Sequence, residues 1–362
     1  MDLVNTTPLA AGLQTADLPG ESFRIGMVVA KATYTWDPSG RLSLETQEPQ
    51  GIREADEESG CGLLPRDSMP IVDGLFEVFL CANARPQGGE PSTRVEVGLT
   101  VGDVARSLVV TGDRQWVPES EGDLSSAATL SAPQPFTEMP LTWERSFGGT
   151  VWVEIDEEAF MMAADPDNPA GRGMDPTDAA LALGDQFQSP EGYPRVTQPR
   201  LAPNVEKPEC LISDREGRGV PVAWTAVPAN CAAQSLRSVK TDYPADVQPV
   251  RPEFQDAANL RAHPDWVIDV PRAAAPLLID GVAAEGLVSL NLPELRVYAD
   301  YAFGQRSGTA ELAPAMLVLE PERRLLTITF KKTFNFPWEE ELNRSMRLRT
   351  QEGWFTDQGR QA

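Results

Sequence analysis

His263 is the only histidine of the chain, so a Ser-His-Asp or Cys-His relay would have to use its single imidazole. It stands directly before Pro264, and no Gly-x-Ser-x-Gly elbow accompanies it. Cys61, Cys81, Cys210 and Cys231 lie far apart, in neither a nucleophile signature nor a Cys-x-x-Cys pair. A capping or surface histidine and buried free thiols are the expectation. Asp165, Asp167 and Asp175 offer hard oxygen ligands, but Pro176 stands where a calcium loop carries its bidentate glutamate, and Pro169 replaces another ligand. That stretch reads as an acidic loop. No Gly-x-x-x-x-Gly-Lys-Ser/Thr cradle occurs, and Gly171-Arg172-Gly173 and Gly217-Arg218-Gly219 are too short to hold a phosphate. A glycosidase needs only two carboxylates, so 54 acidic residues and eight tryptophans keep an acidic carbohydrate-active or carbohydrate-binding β protein as the alternative. The residues otherwise point to no catalytic group, no metal and no cofactor.

Special-purpose residues concentrate between Phe136 and Gly173. Trp143, Glu144, Arg145, Phe147, Gly148 and Gly149 are followed by Asn168, Pro169, Gly171, Arg172 and Gly173. Paired glycines after an aromatic-Arg-aromatic run suggest backbone at positive φ or closely approached by another segment. Asn-Pro before Gly-Arg-Gly reads as a tight turn. Arg145 and Arg172 carry planar donor forks suited to carboxylates or carbonyls. An internal clamp is the first reading of these residues and a partner contact the second.

The elements that must position them are short. With 32 prolines and 28 glycines in 362 residues, strands joined by turns are expected in place of long helices. Ile25 to Tyr34 forms an apolar run, ends at Asp37-Pro38-Ser39-Gly40 and is answered by Leu42 and Leu44, a hairpin pattern. Phe76, Val78 and Leu80 predict a half-buried strand. Val95 to Val101, Gly102-Asp103 and Leu108 predict a hairpin with a type II′ turn. Glu54 to Glu58 reads as a solvated loop, and Glu119 to Pro133 as a loop of little periodicity. From Trp152 to about Pro264 the prolines favour ordered loops, with Asp178 to Leu183 and Phe254 to Leu260 as short helices. Strands return at Leu287 to Leu290, Val297 to Phe303, Met316 to Leu319 and Leu326 to Lys331, the last half-buried with Thr327, Thr329 and Lys331 outward. Trp338, Leu342, Met346 and Arg349 fall at helical spacing and predict a terminal helix. The fold class is mainly β, with β-sandwich-like lobes, a loop-rich central region and few short helices. Its expected divisions are a β-rich lobe over 1–135, a signature and connecting region over 136–265, a second β-rich lobe over 266–337, and a helix and tail over 338–362.

A formal charge of -23, from 31 basic and 54 acidic residues, opposes nucleic acid and anionic membranes as ligands and permits a basic protein partner. No apolar run reaches the length of a membrane span and no basic leader opens the sequence, which predicts a cytoplasmic protein.

Several motifs stand in a recurring order: Asn5-Thr6-Thr7-Pro8, Val29 to Tyr34, Pro70 to Asp73, Gly112 to Trp116, Pro135-Phe136, Met139-Pro140-Leu141, Trp143-Glu144-Arg145, Phe147-Gly148-Gly149, Asn168 to Gly173, and Leu201 to Pro208. This pattern, from Asn5 to Phe334, resembles a bacterial family, long labelled a domain of unknown function, whose members are encoded beside type VI secretion effectors and act as their adaptors or chaperones. The sequence departs from it at Met69, where a lysine is usual. It also lacks the Pro-Ala-Gly-Phe-Gly pattern between Gly219 and Ala233, keeping only Pro221 and Trp224. The resemblance implies a noncatalytic bacterial protein that holds a secreted toxin effector and helps load it onto the spike protein.

Overall fold

The computed structural model describes residues 2–17, 23–67, 75–120, 123–156, 159–174, 201–213, 219–228, 260–337 and 344–352. Its body is mainly β, built on a ten-stranded and a five-stranded sheet. The ten-stranded sheet runs in the order Asp2–Asn5, Arg344–Glu352, Leu295–Phe303, Arg306–Glu320, Leu325–Pro337, Phe23–Trp36 and Ala10–Asp17, and is nearly closed into a barrel. Leu42–Leu44, Leu75–Leu80 and Val267–Asp269 attach off this path. The five-stranded sheet orders Val205–Glu206, Val104–Thr111, Arg94–Val101, Pro276–Asp280 and Val288–Asn291. Both sheets therefore combine strands from 1–135 with strands from 266–337. The longest such pairing runs from Leu325 opposite Thr35 to Pro337 opposite Phe23.

Both expected hairpins are present. Tyr34 pairs with Leu44 and Trp36 with Leu42 across the Asp37–Gly40 turn. Val101 pairs with Val104 across Gly102, whose φ is 61° while Asp103 keeps φ negative, as a type II′ turn requires.

Elsewhere the pattern misleads. Leu75–Leu80 is no half-buried strand: it lies between Val267–Asp269 and Arg306–Glu320, and Phe76 to Leu80 are all buried. Leu325–Pro337 likewise buries Thr327, Thr329 and Lys331. The segment running to Asp67 folds over that face. Gln50 N–H donates to Thr33 Oγ1, Lys31 Nζ to the Gly51 carbonyl at 3.1 Å and to Asp67 Oδ2 at 2.8 Å, and Thr329 Oγ1 to Asp67 Oδ1 at 2.8 Å. An alternating polar face is thus paired inside the protein, a solution alternation alone cannot distinguish from solvation. The acidic run is partly engaged as well, since Asp56 pairs with Arg261 and accepts the Arg66 N–H.

The terminal helix is replaced by a strand. Arg344–Glu352 pairs antiparallel with Leu295–Phe303 and parallel with Asp2–Asn5, placing Met346 and Leu348 inward. In that register a period of two serves these two core residues, whereas the helical spacing rested on Trp338 and Leu342, outside the described residues. The supposed loop Glu119 to Pro133 takes in the end of the strand Trp116–Ser120 and all of its partner Asp123–Leu130, and the central region contains the pair Thr150–Asp156 and Ala159–Ala164. Asp178 to Leu183 and the expected helix Phe254 to Leu260, all but its last residue, lie outside the described residues.

Candidate functional site

Trp143–Arg145 forms one 3-10 turn, entered from extended Thr142 and left through extended Ser146. Trp143 is buried against Ala223 and Val227, and its indole N–H reaches the Thr225 carbonyl at 3.4 Å. The turn directs the Trp143 and Phe147 carbonyls to the Asn168 carboxamide, whose Nδ2 donates to them at 2.8 and 2.9 Å. The Asn168 carbonyl in turn accepts the Gly149 and Gly171 N–H groups. Asn168 is itself positioned by Asp165, whose Oδ1 accepts the N–H groups of Asp167 and Asn168. Burial holds the Asp165 carboxyl above its ordinary range. The aspartate of the suspected cation loop therefore orders a turn.

Phe147–Gly148 and Arg172–Gly173 pair as two short parallel strands, extended by Arg172 N–H to the Ser146 carbonyl and Met174 N–H to the Gly148 carbonyl. The glycines are required by proximity. A Cβ on Gly148, at φ 132°, would lie 2.2 Å from the Asn168 carbonyl oxygen. A Cβ on Gly171 would lie 2.5 Å from Asn168 Nδ2.

The two arginines converge. Arg145 Nη1 donates to Asn204 Oδ1 at 3.2 Å and to Asp113 Oδ1 at 2.9 Å, while Arg172 Nη1 reaches the same Asn204 oxygen at 3.1 Å. Arg172 Nε donates to the backbone carbonyl of Glu144 at 2.8 Å, so Glu144 serves the arginine through its main chain. Burial, followed by the neighbouring Arg145 charge, pulls the Arg172 guanidinium below its usual range. Asn204 completes the centre by donating to the Thr111 carbonyl and to Asp113 Oδ1. One step along, Arg114 bonds Glu206, Pro203 and Ile212, and Glu206 accepts the Ile212 N–H.

All eleven signature residues thus belong to one clasp; Pro169 takes part through its carbonyl, which accepts from Thr150 Oγ1. Asn204, Asp113 and Ser146 were missing from the expected set. Asn204 and Asp113 lie within the quoted motifs Leu201 to Pro208 and Gly112 to Trp116, and that membership was the available signal. Ser146, whose Oγ accepts the Val222 N–H at 2.6 Å, gave none. Gly219, dismissed as part of a failed phosphate loop, lies so close to Phe147 that a Cβ would stand 2.3 Å from its ring.

His263 is buried, caps the Pro264–Trp266 turn by accepting the Asp265 N–H on Nδ1, and lies 6.1 Å from the Trp143 ring. Cys61, Cys81 and Cys210 are free thiols; burial raises Cys61 to about 11 and Cys81 to about 12, and Cys231 lies outside the described residues. Among the described residues no group of three His, Cys, Asp or Glu is placed to hold a metal. No helix among them is long and apolar enough to cross a membrane.

Fold and site define a β protein, nearly closed on itself, whose most specialised residues lock distant segments together. The chain belongs to the bacterial family described as "Uncharacterized protein conserved in bacteria" (DUF2169), whose profile matches residues 22–331. No curated protein and no solved structure matches it.

Proposed function

We propose that the chain is a noncatalytic adaptor or chaperone that holds a toxin effector of a type VI secretion system and helps load it onto the spike. The reading starts from the resemblance of its ordered motifs to that class of bacterial proteins. The observation that carries it is the use made of the signature: Arg145, Arg172, Asn168 and Asn204 all donate to groups within the fold. Such residues make a scaffold for recognition by other surfaces. A charge of -23 suits a basic cargo domain, whose capture it would accelerate. The carbohydrate alternative needs exposed aromatic platforms. Trp36, Trp143, Trp224 and Trp266 are instead buried, and Trp116 is half-buried.

Co-expression with the toxin encoded beside its gene tests the proposal. A stoichiometric complex is expected, one that weakens as salt is raised. Absence of a complex at low salt contradicts the adaptor reading, and a complex indifferent to high salt contradicts the part given to charge.

A further inference from the structure

Three strand connections meet at one end of the molecule: the Asp37–Gly40 turn, the Pro321–Arg324 turn and the Gly281–Leu287 loop. They enclose a cleft of about 490 Å³, within the range of specific ligand sites. Its walls are fastened to one another. Trp36 N–H donates to the Arg324 carbonyl, Arg85 N–H donates to the Gly281 carbonyl, and Asp37 Oδ1 accepts the N–H groups of Ser39 and Arg41. A Cβ placed on Gly40 would stand 2.1 Å from the Ser289 oxygen and 3.3 Å from its carbon, so the Ser289 carbonyl points directly at Gly40. The site is preformed, which limits the ordering cost of binding.

The same geometry orients the outer strand. The Ser289 carbonyl turns away from Leu278, its partner on the neighbouring strand, whereas Leu292 N–H bonds inward to the Ala275 carbonyl. By alternation, Ser289 and Asn291 present their backbone groups outward, on the edge of the five-stranded sheet that has no further strand among the described residues. Leu287, at 59% exposure, stands at the start of this edge. Glu285 and Arg324 line the cleft with no ion pair among the described residues, and Glu322, whose Oε1 accepts the Asn83 N–H at 2.8 Å, adds a second carboxylate.

We infer that this cleft docks an extended segment of a protein partner carrying a lysine or arginine beside an apolar residue. The Ser289 carbonyl is covered by Gly40, so the Ser289 N–H and, just past the cleft, the Asn291 amide and carbonyl supply the backbone hydrogen bonds, as in recognition by strand addition. Leu287 packs the apolar side chain, Glu285 and Glu322 take the basic one, and Arg324 binds a carbonyl of the segment. The protein's large negative charge favours a basic segment over an acidic one.

The inference rests on the adaptor reading, and the test separates the two. Overlapping short peptides covering the neighbouring toxin are arrayed and probed with the full chain, alongside copurification with the intact toxin. Glu285→Lys and Leu287→Asp are compared with Val117→Asp, a change at an exposed apolar residue elsewhere. The expected result is retention of one run of basic, apolar-containing peptides, weakened at least tenfold by the two cleft variants and unchanged by Val117→Asp at equal melting temperature. A silent array, or cleft variants that bind like the parent, overturns the cleft while a copurifying toxin leaves the adaptor reading standing. Failure of the intact toxin to copurify overturns both.

Discussion

Arg145 and Asn204 hold each other twice: the guanidinium donates to the Asn204 carboxamide at 3.2 Å, and the Asn204 N–H donates to the Arg145 carbonyl at 2.8 Å. This reciprocal contact joins the signature turn to the edge of the five-stranded sheet, where Asn204 also pairs with Thr111 in both directions. Asn204→Ala leaves the Thr111 carbonyl and two guanidinium groups short of partners and is expected to destabilise by about 3 kcal/mol, read by urea unfolding. Asn204→Asp keeps the acceptor for both arginines but turns an oxygen toward the Thr111 carbonyl and Asp113 Oδ1, so it should also destabilise, by an amount the two guanidinium charges reduce.

Gly148→Ala forces a Cβ against the Asn168 carbonyl and should destabilise by about 3 kcal/mol or prevent folding. Gly88→Ala is the matching control. Its φ of 80° is also positive, but a Cβ there meets nothing within 4 Å, so only backbone strain of about 1 kcal/mol is expected. Equal losses in urea unfolding would mean that conformation, not collision, selects glycine at 148.

Lys31 and Asp67 are a fully buried ion pair, with Thr329 and the Arg53 N–H on the same carboxylate. Lys31→Met removes the nearer cation from Asp67, leaving Arg53 Nε at 4.0 Å, and should cost about 3 kcal/mol in denaturant melts. Lys31→Met combined with Asp67→Asn should recover part of that loss.

Asp165 contributes a pH dependence to the clasp. Its folded pKa lies above the ordinary 3.8 because of burial, so its contribution is most favourable below that value and declines as pH rises through the folded pKa. Asp165→Asn keeps an acceptor for both N–H groups and removes the titration. The melting-temperature difference, variant minus parent, should therefore grow as pH rises from the ordinary 3.8 through the folded pKa.

Local pattern revealed the hairpins because their turn residues and alternating apolar residues sit within one short stretch. The terminal strand was not legible: Arg344–Glu352 gains its partners from residues nearly the whole chain away, Asp2–Asn5 among them. The burial of Lys31 and Lys331 was hidden for a related reason, since a polar strand face reads alike whether water or a polar loop covers it. At the signature, the paired glycines announced constrained backbone, and that expectation matches Gly148 and Gly149, both at positive φ. The meeting of both arginines on Asn204 depends on a register between distant segments that no spacing encodes.

The central claim is that the signature holds the fold and cargo binding follows from it indirectly. Arg145→Ala, compared with the parent for melting temperature and for copurification with the neighbouring toxin, tests this most directly. The account expects toxin binding to fall only together with thermal stability. Loss of binding at an unchanged melting temperature would make Arg145 a cargo contact and contradict it.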